Sequence, residues 1–197
     1  MTLGKVIGDR IMEIKAKLKV SCRAEWRSWL IANHATETEI WIVSDDSSKQ
    51  PSIPYLDSVE EAICFGWIDG IAKRVLSFGK AQRFTPRRAR SNWTELNRER
   101  ARRLIRLGLM TDAGKRKLPD LMNPFEIPCD ILAAIKAESD AWTNYTELPE
   151  LYIRVRIGYI EEMRKQPEEF NRRLQNFISK TAAGKLFGNW NDEGRLL

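Results

Sequence analysis

Two short blocks hold the residues whose types could do chemistry. CFGWIDG, from Cys64 to Gly70, sets Asp69 and Trp67 between two glycines. QRFTPRRARSNW, from Gln82 to Trp93, carries Arg83, Arg87, Arg88 and Arg90, then Ser91, Asn92 and Trp93. Guanidinium forks grip phosphate or carboxylate in two-point geometry. Free amide N–H groups at a helix start add positive potential, and the spacing puts such a start at Ser91 to Thr94. Ser91 and Asn92 could then donate or accept hydrogen bonds, and Trp93 could offer a stacking face. The competing reading is internal: Asp69 neutralises one of Arg83, Arg87 or Arg88, and the two blocks meet. Trp67 either stacks on a ligand or fills the core, and core is the common fate of such a ring.

Catalysis finds less support. One carboxylate at Asp69 with no histidine beside it lacks the second group that acid–base work needs. Cys64 lies on an apolar helix face without an adjacent base, a poor nucleophile. His34 is the only histidine, and it falls at a helix end. Cys22, Cys64 and Cys129 are an odd number at long gaps with no CxxC, which reads as free, buried or half-buried thiols rather than a zinc site. Walker, GxGxxG, HExxH and GxSxG signatures are all missing. No cofactor and no metal are expected.

Charge is unevenly spread. Residues 71–118 hold 15 Lys or Arg against Glu95, Glu99 and Asp112, while the other residues hold 18 against 24. Such asymmetry suits an anionic partner or a solvated helix face. Arg98, Arg102 and Arg106 make one row on a helix that a phosphate backbone could meet, but no known nucleic-acid motif accompanies it, so nucleic acid is not the expected partner. No apolar run reaches the roughly 20 residues of a membrane helix. The N-terminus mixes charge into its apolar positions, so membrane insertion is not expected and residence in the cytoplasm is.

These residues need elements to hold them. Ile7, Ile11, Ile14 and Leu18 recur at helical spacing, with last residues that read as helical or extended, and SCRAEWRSWLIANH makes a second helix with Ser21 as cap. EIWIVS is a strand buried on both faces. Asp57 or Ser58 caps VEEAICFGW, and Gly66 and Gly70 bracket WID and stop it. Two strands follow around a turn at Gly79, ended by Pro86. Asn92 or Ser91 caps the next helix, whose inner side is Leu96, Leu104, Ile105 and the stem of Arg100. Thr111 starts a short helix and CDILAAIKAE another. YTELPELYIRVRIGYIEEMRK reads as one long helix with Tyr152, Val155, Tyr159 and Ile160 on one side. Pro167 opens the last, with Phe170, Leu174, Phe177 and Ile178 inward. The sum is a helix-rich α+β fold, a small sheet covered by several helices with a helical C-terminal half.

AEWRSWLIANH, EIWIVS, VEEAICFGWIDG, QRFTPRRARSNWTELNRERARRLIRLGLMTDAG and YIRVRIGYIEE, in this order, resemble the bacterial YdeI/OmpD-associated (OmdA, bacteriocin-protection) family. The resemblance runs from about Ser21 to Lys180. It implies a link to bacteriocin or antimicrobial-peptide tolerance and to an outer-membrane porin, and it brings no catalytic residues. SDDSSKQ, Ala89 and Thr94 depart from its usual pattern. The expected organisation is an N-terminal extension at 1–20, the domain at 21–183 and a loosely held tail at 184–197. The expected function is non-enzymatic binding or stress protection, with a small anion as ligand or a protein as partner. The expected site is Trp67, Asp69, Arg83, Arg87, Arg88, Arg90, Ser91, Asn92 and Trp93. An enzyme or sensor for a small phosphorylated or carboxylate ligand is the rival, and nucleic-acid binding the second.

Overall fold

Apolar residues on both faces demand burial on both faces, and Ile40–Val43 meets that demand as the inner strand β2. The computed structural model describes residue 14 and residues 16–44, 52–75, 79–89 and 91–197. Strand β1, Lys17–Leu18, runs parallel to β2. Strand β4, Gly79–Pro86, lies antiparallel on its other side, with Ile40 opposite Phe84 and Trp41 opposite Arg83. Strand β3, Trp67–Val75, pairs antiparallel with β4 and completes a mixed sheet in the order β1-β2-β4-β3. The expected helix at 7–18 lies mostly outside the described residues, and its last residues are extended.

The chain divides into two units, residues 1–62 with 67–86, and residues 63–66 with 87–197. In the first, helix α1, Arg23–Asn33, carries Trp26 and Leu30 inward, both fully buried. Trp26 meets Phe84 of β4 at 5.3 Å and stacks on Trp29 at 5.2 Å. Helix α2, Tyr55–Cys64, buries Glu60 and Glu61, which burial permits only with paired charge. Arg23 reaches both of them, and Arg27 reaches Glu61 at 2.7 Å. The cap of α1 is Cys22, not Ser21. Ser21 instead donates from its backbone N–H and its hydroxyl to Glu25. Helix α2 starts at Tyr55, before the expected caps Asp57 and Ser58, and Ser58 N–H already donates to Pro54 O at 3.0 Å.

The second unit holds six helices among the described residues: α3, Glu95–Arg106; α4, Asp112–Lys115; α5, Cys129–Lys136; α6, Ser139–Tyr145; α7, Glu150–Glu161; and α8, Pro167–Ala182. Its core joins Ile131, Ile135, Tyr145, Tyr152, Ile157, Ile160, Leu174 and Phe177. One long helix was expected from 145 to 165. Leu148 and Pro149 divide that stretch, so α6 ends and α7 begins with Pro149 as its cap. Tyr159 and Ile105, expected inside, are 42% and 43% exposed.

The tail from Gly184 is packed, which corrects the expectation that it is loosely held. Phe187 and Trp190 meet Tyr152 edge-on, at 6.4 and 5.5 Å. Asp192 is fully buried and takes a two-point grip from Arg100 of α3, at 2.6 and 2.7 Å. Asn189 holds Asp192 from its other side. Among the described residues no helix is long and apolar enough to cross a membrane.

Candidate anion-binding site

The two sequence blocks resolve into mostly structural roles. Gly66 stops α2 at φ 74°, and a side chain there would press on Lys117 and on the carbonyl of Ala113. Gly70 stops nothing: Trp67 already begins β3, and Gly70 lies at an irregularity of the β3–β4 register. Trp67 is 1% exposed, stands edge-on to Trp29 at 5.8 Å, and donates its indole N–H to His34 O. It fills the core and offers no stacking face. Asp69 accepts from the Tyr55 hydroxyl at 2.7 Å. Arg83 is held by Glu39, its Nε at 2.6 Å. Asp69 and Arg83 therefore take partners other than each other.

Arg87 is 2% exposed, lies flat over the Trp93 ring at 3.7 Å and donates to Asn92 O. Trp93 is buried beneath it. Arg88 and Asn92 are exposed, Ser91 is half-buried and donates its N–H to Arg88 O, and Arg90 lies outside the described residues. Helix α3 begins later than expected. Its cap is Thr94, whose hydroxyl accepts from Asn97 N–H, so the amides at 91–94 are not a helix start. The pairing row is also internal. Arg98 binds Glu95 and Asp120 O, Arg102 binds Glu99 and Leu121 O, and Arg106 lies 3.6 Å from Glu99.

The arginines that line a cavity are others. Arg156 stands on the inner side of α7, four residues after Tyr152 and four before Ile160, all three buried. It is only 9% exposed. Its one hydrogen bond among the described residues runs from Nη1 to Phe187 O at a long 3.4 Å, and its Nε has no partner there. No carboxylate among those residues pairs with it. Burial pushes the guanidinium below its ordinary range, yet an arginine stays charged at neutral pH. The positive charge is thus buried with no counter-charge among the described residues, and the faces of Phe187 and Tyr159 stand at 4.9 and 5.2 Å from it.

Around this group opens a cavity of about 380 Å³. Helix α7 supplies Arg156, Tyr159 and Ile160 to its wall, and α8 supplies Arg172, Arg173, Asn176 and Phe177. Phe187 and Gly188 close one side. Arg173 lies 3.6 Å over the Tyr159 ring and donates to Tyr159 O at 2.6 Å. Arg172 and Arg173 share Glu169, each at 2.7 Å, and this double grip holds the Glu169 carboxyl down at about 2. Gly188, at φ 70°, lets the tail backbone pass against the Arg156 fork, where any Cβ would collide with Nη1.

The signal for this site was in the sequence. An arginine at 156 interrupts an apolar stripe at helical spacing, and an arginine inside such a stripe calls for a partner. A second cavity, about 540 Å³, opens in the first unit beside Tyr55, Lys73 and Lys80, with no buried charge in its wall. No group of three metal-ligating side chains occurs among the described residues. Cys22 and Cys129 are exposed, contrary to the expected burial, and Cys64 is buried.

The fold and the cavity define an α+β protein with a small mixed sheet and a helical C-terminal half that carries an arginine-lined pocket. Residues 18–117, half of the chain, match the model of a domain of unknown function (DUF8412), and the chain belongs to that family. Residues 124–184 match the model described as Bacteriocin-protection, YdeI or OmpD-Associated, so the chain also carries a YdeI/OmpD-associated domain. Of the blocks that resemble this family, YIRVRIGYIEE falls in the second match, and the others fall in the first. Helices α5, α6, α7 and nearly all of α8 lie in the second match, and with them Arg156, Arg172 and Arg173. No curated protein and no solved structure matches the chain.

Proposed function

We propose that the protein is a non-enzymatic binding protein that takes a small anion in the Arg156 cavity. The observation that carries this is the Arg156 guanidinium, nine-tenths buried with no carboxylate partner among the described residues. A buried charge without a counter-charge costs several kcal/mol, and a bound anion removes that cost. The wall supports binding over reaction. It supplies guanidiniums, one amide and aromatic faces, and no carboxylate, histidine or cysteine to move a proton or attack a bond. The arginine row of α3 counts against nucleic acid, because its charges already face Glu95 and Glu99. The bacteriocin-protection role that names the matched family is carried to this chain as part of the same reading, with anion binding as its molecular basis.

Thermal unfolding in phosphate, sulfate and acetate, against sodium chloride at equal ionic strength, tests it. At least one of the three anions is expected to raise the melting temperature in a saturating manner. Arg156→Met is expected to abolish the rise. Equal behaviour in all salts, or a rise that Arg156→Met leaves intact, would sink the proposal.

A further inference from the structure

Resting on that reading, we infer that the ligand is an organic phosphate monoester whose phosphate meets Arg156 and whose apolar body fills the rest of the cavity. Size speaks first. At about 380 Å³ the cavity falls within the range of pockets built for organic ligands. A bare phosphate or sulfate is only a few water volumes in size and would leave most of it to solvent. The walls speak next. Tyr159, 42% exposed, and the half-buried Phe187 turn aromatic surface to the space above the sealed side chains of Ile160 and Phe177, which an inorganic anion cannot use.

Charge decides the head group. Three guanidiniums face the cavity; Arg172 and Arg173 share Glu169, and Arg173 also attracts Glu162. Arg156 has no carboxylate partner among the described residues, so positive charge stays in excess there. A phosphate monoester near neutral pH carries between one and two negative charges, and a carboxylate carries one. The monoester also has three oxygens for the Arg156 fork and the Asn176 amide, where a carboxylate has two. Asn176 is exposed on the cavity wall, where its side-chain amide can donate to an entering anion.

Calorimetric titration of the full chain with phenyl phosphate, inorganic phosphate, benzoate and phenol tests this. Phenyl phosphate is expected to bind at least ~10-fold tighter than each of the other three, the phenyl ring supplying buried apolar area. Arg156→Met is expected to weaken it by ~10–100-fold, the range of a lost charge-assisted bond. Arg172→Ala, at an exposed position on the cavity rim, is expected to weaken it by a smaller factor. Inorganic phosphate binding as tightly as phenyl phosphate overturns the inference and leaves the small-anion reading standing. Benzoate or phenol binding as tightly overturns it as well. If no probe binds, both the inference and the small-anion reading fall. A melting temperature for Arg156→Met at or above that of the parent separates lost binding from lost fold, since removing an unpaired buried charge is neutral or stabilising.

Discussion

Arg156 owes its position to its neighbours on one helix face. Tyr152 and Ile160 commit that side of α7 to the core, and an arginine midway between them is buried but for the cavity it lines. Gly188 sets how near the tail comes to it. Its φ of 70° suits glycine, and its missing side chain leaves room for the guanidinium. Gly188→Ala is therefore expected to lower stability by about 1–3 kcal/mol, the usual cost of such backbone strain. It is also expected to displace Arg156 and weaken anion binding, and urea unfolding with a parallel titration reads both effects. At this scale the sequence told much about residue type and little about partner. QRFTPRRARSNW has the composition of an anion grip, yet Arg87 spends its charge on the Trp93 face and Arg83 on Glu39. Those pairings depend on residues far apart in the chain or on which face a loop presents, and spacing does not encode either.

Among the elements, the C-terminal tail behaves as a strap on α3. Arg100 grips Asp192 at two points, and Asn189 braces the carboxylate. Asp192→Ala removes that carboxylate from a buried guanidinium. A loss of about 3–5 kcal/mol is expected from breaking one side of a buried pair, measured by urea unfolding. A loss below about 1 kcal/mol would show the strap to be ornamental. Elements with a strong period were legible: α8 with its Phe170, Leu174, Phe177 and Ile178 stripe, the strand at Ile40–Val43, and the two strands flanking Gly79. Starts and stops were less so. Thr94 rather than Asn92 caps α3, because its hydroxyl is the one that accepts from the first turn, at Asn97 N–H. The tail gave no periodic signal at all. Its order comes from one buried ion pair and two aromatic contacts, none of which repeats along the sequence.

Across the molecule several carboxylates are held by arginines. Arg172 and Arg173 lower Glu169 from an ordinary 4.5 to about 2. Burial alone would raise Glu99, but bonds from Arg154 and Arg102 outweigh it and hold it below its usual range. Arg164 does the same for Asp130. A carboxyl whose folded pKa is depressed adds stability in full above its unfolded pKa and loses it as pH falls through the folded value. The contribution of Glu169 is thus complete above about pH 4.5 and fades toward pH 2. Melting temperatures are expected to hold level down to about pH 4.5 and then to fall as the pH approaches 2. A melting temperature that rises across that acid range would contradict these pairings. The excess of positive charge at 71–118, so plain in the sequence, is partly answered by acids elsewhere in the chain: Glu39 for Arg83, Asp192 for Arg100.

The exposed thiols have a practical consequence. Cys22 is in the first unit and Cys129 in the second, both open to solvent, while Cys64 is buried. The native chain therefore carries one accessible attachment point for a spin label or fluorophore in each unit. A label at Cys129 then reports on the unit that holds the Arg156 cavity, and one at Cys22 on the unit that holds the sheet, without altering a single residue.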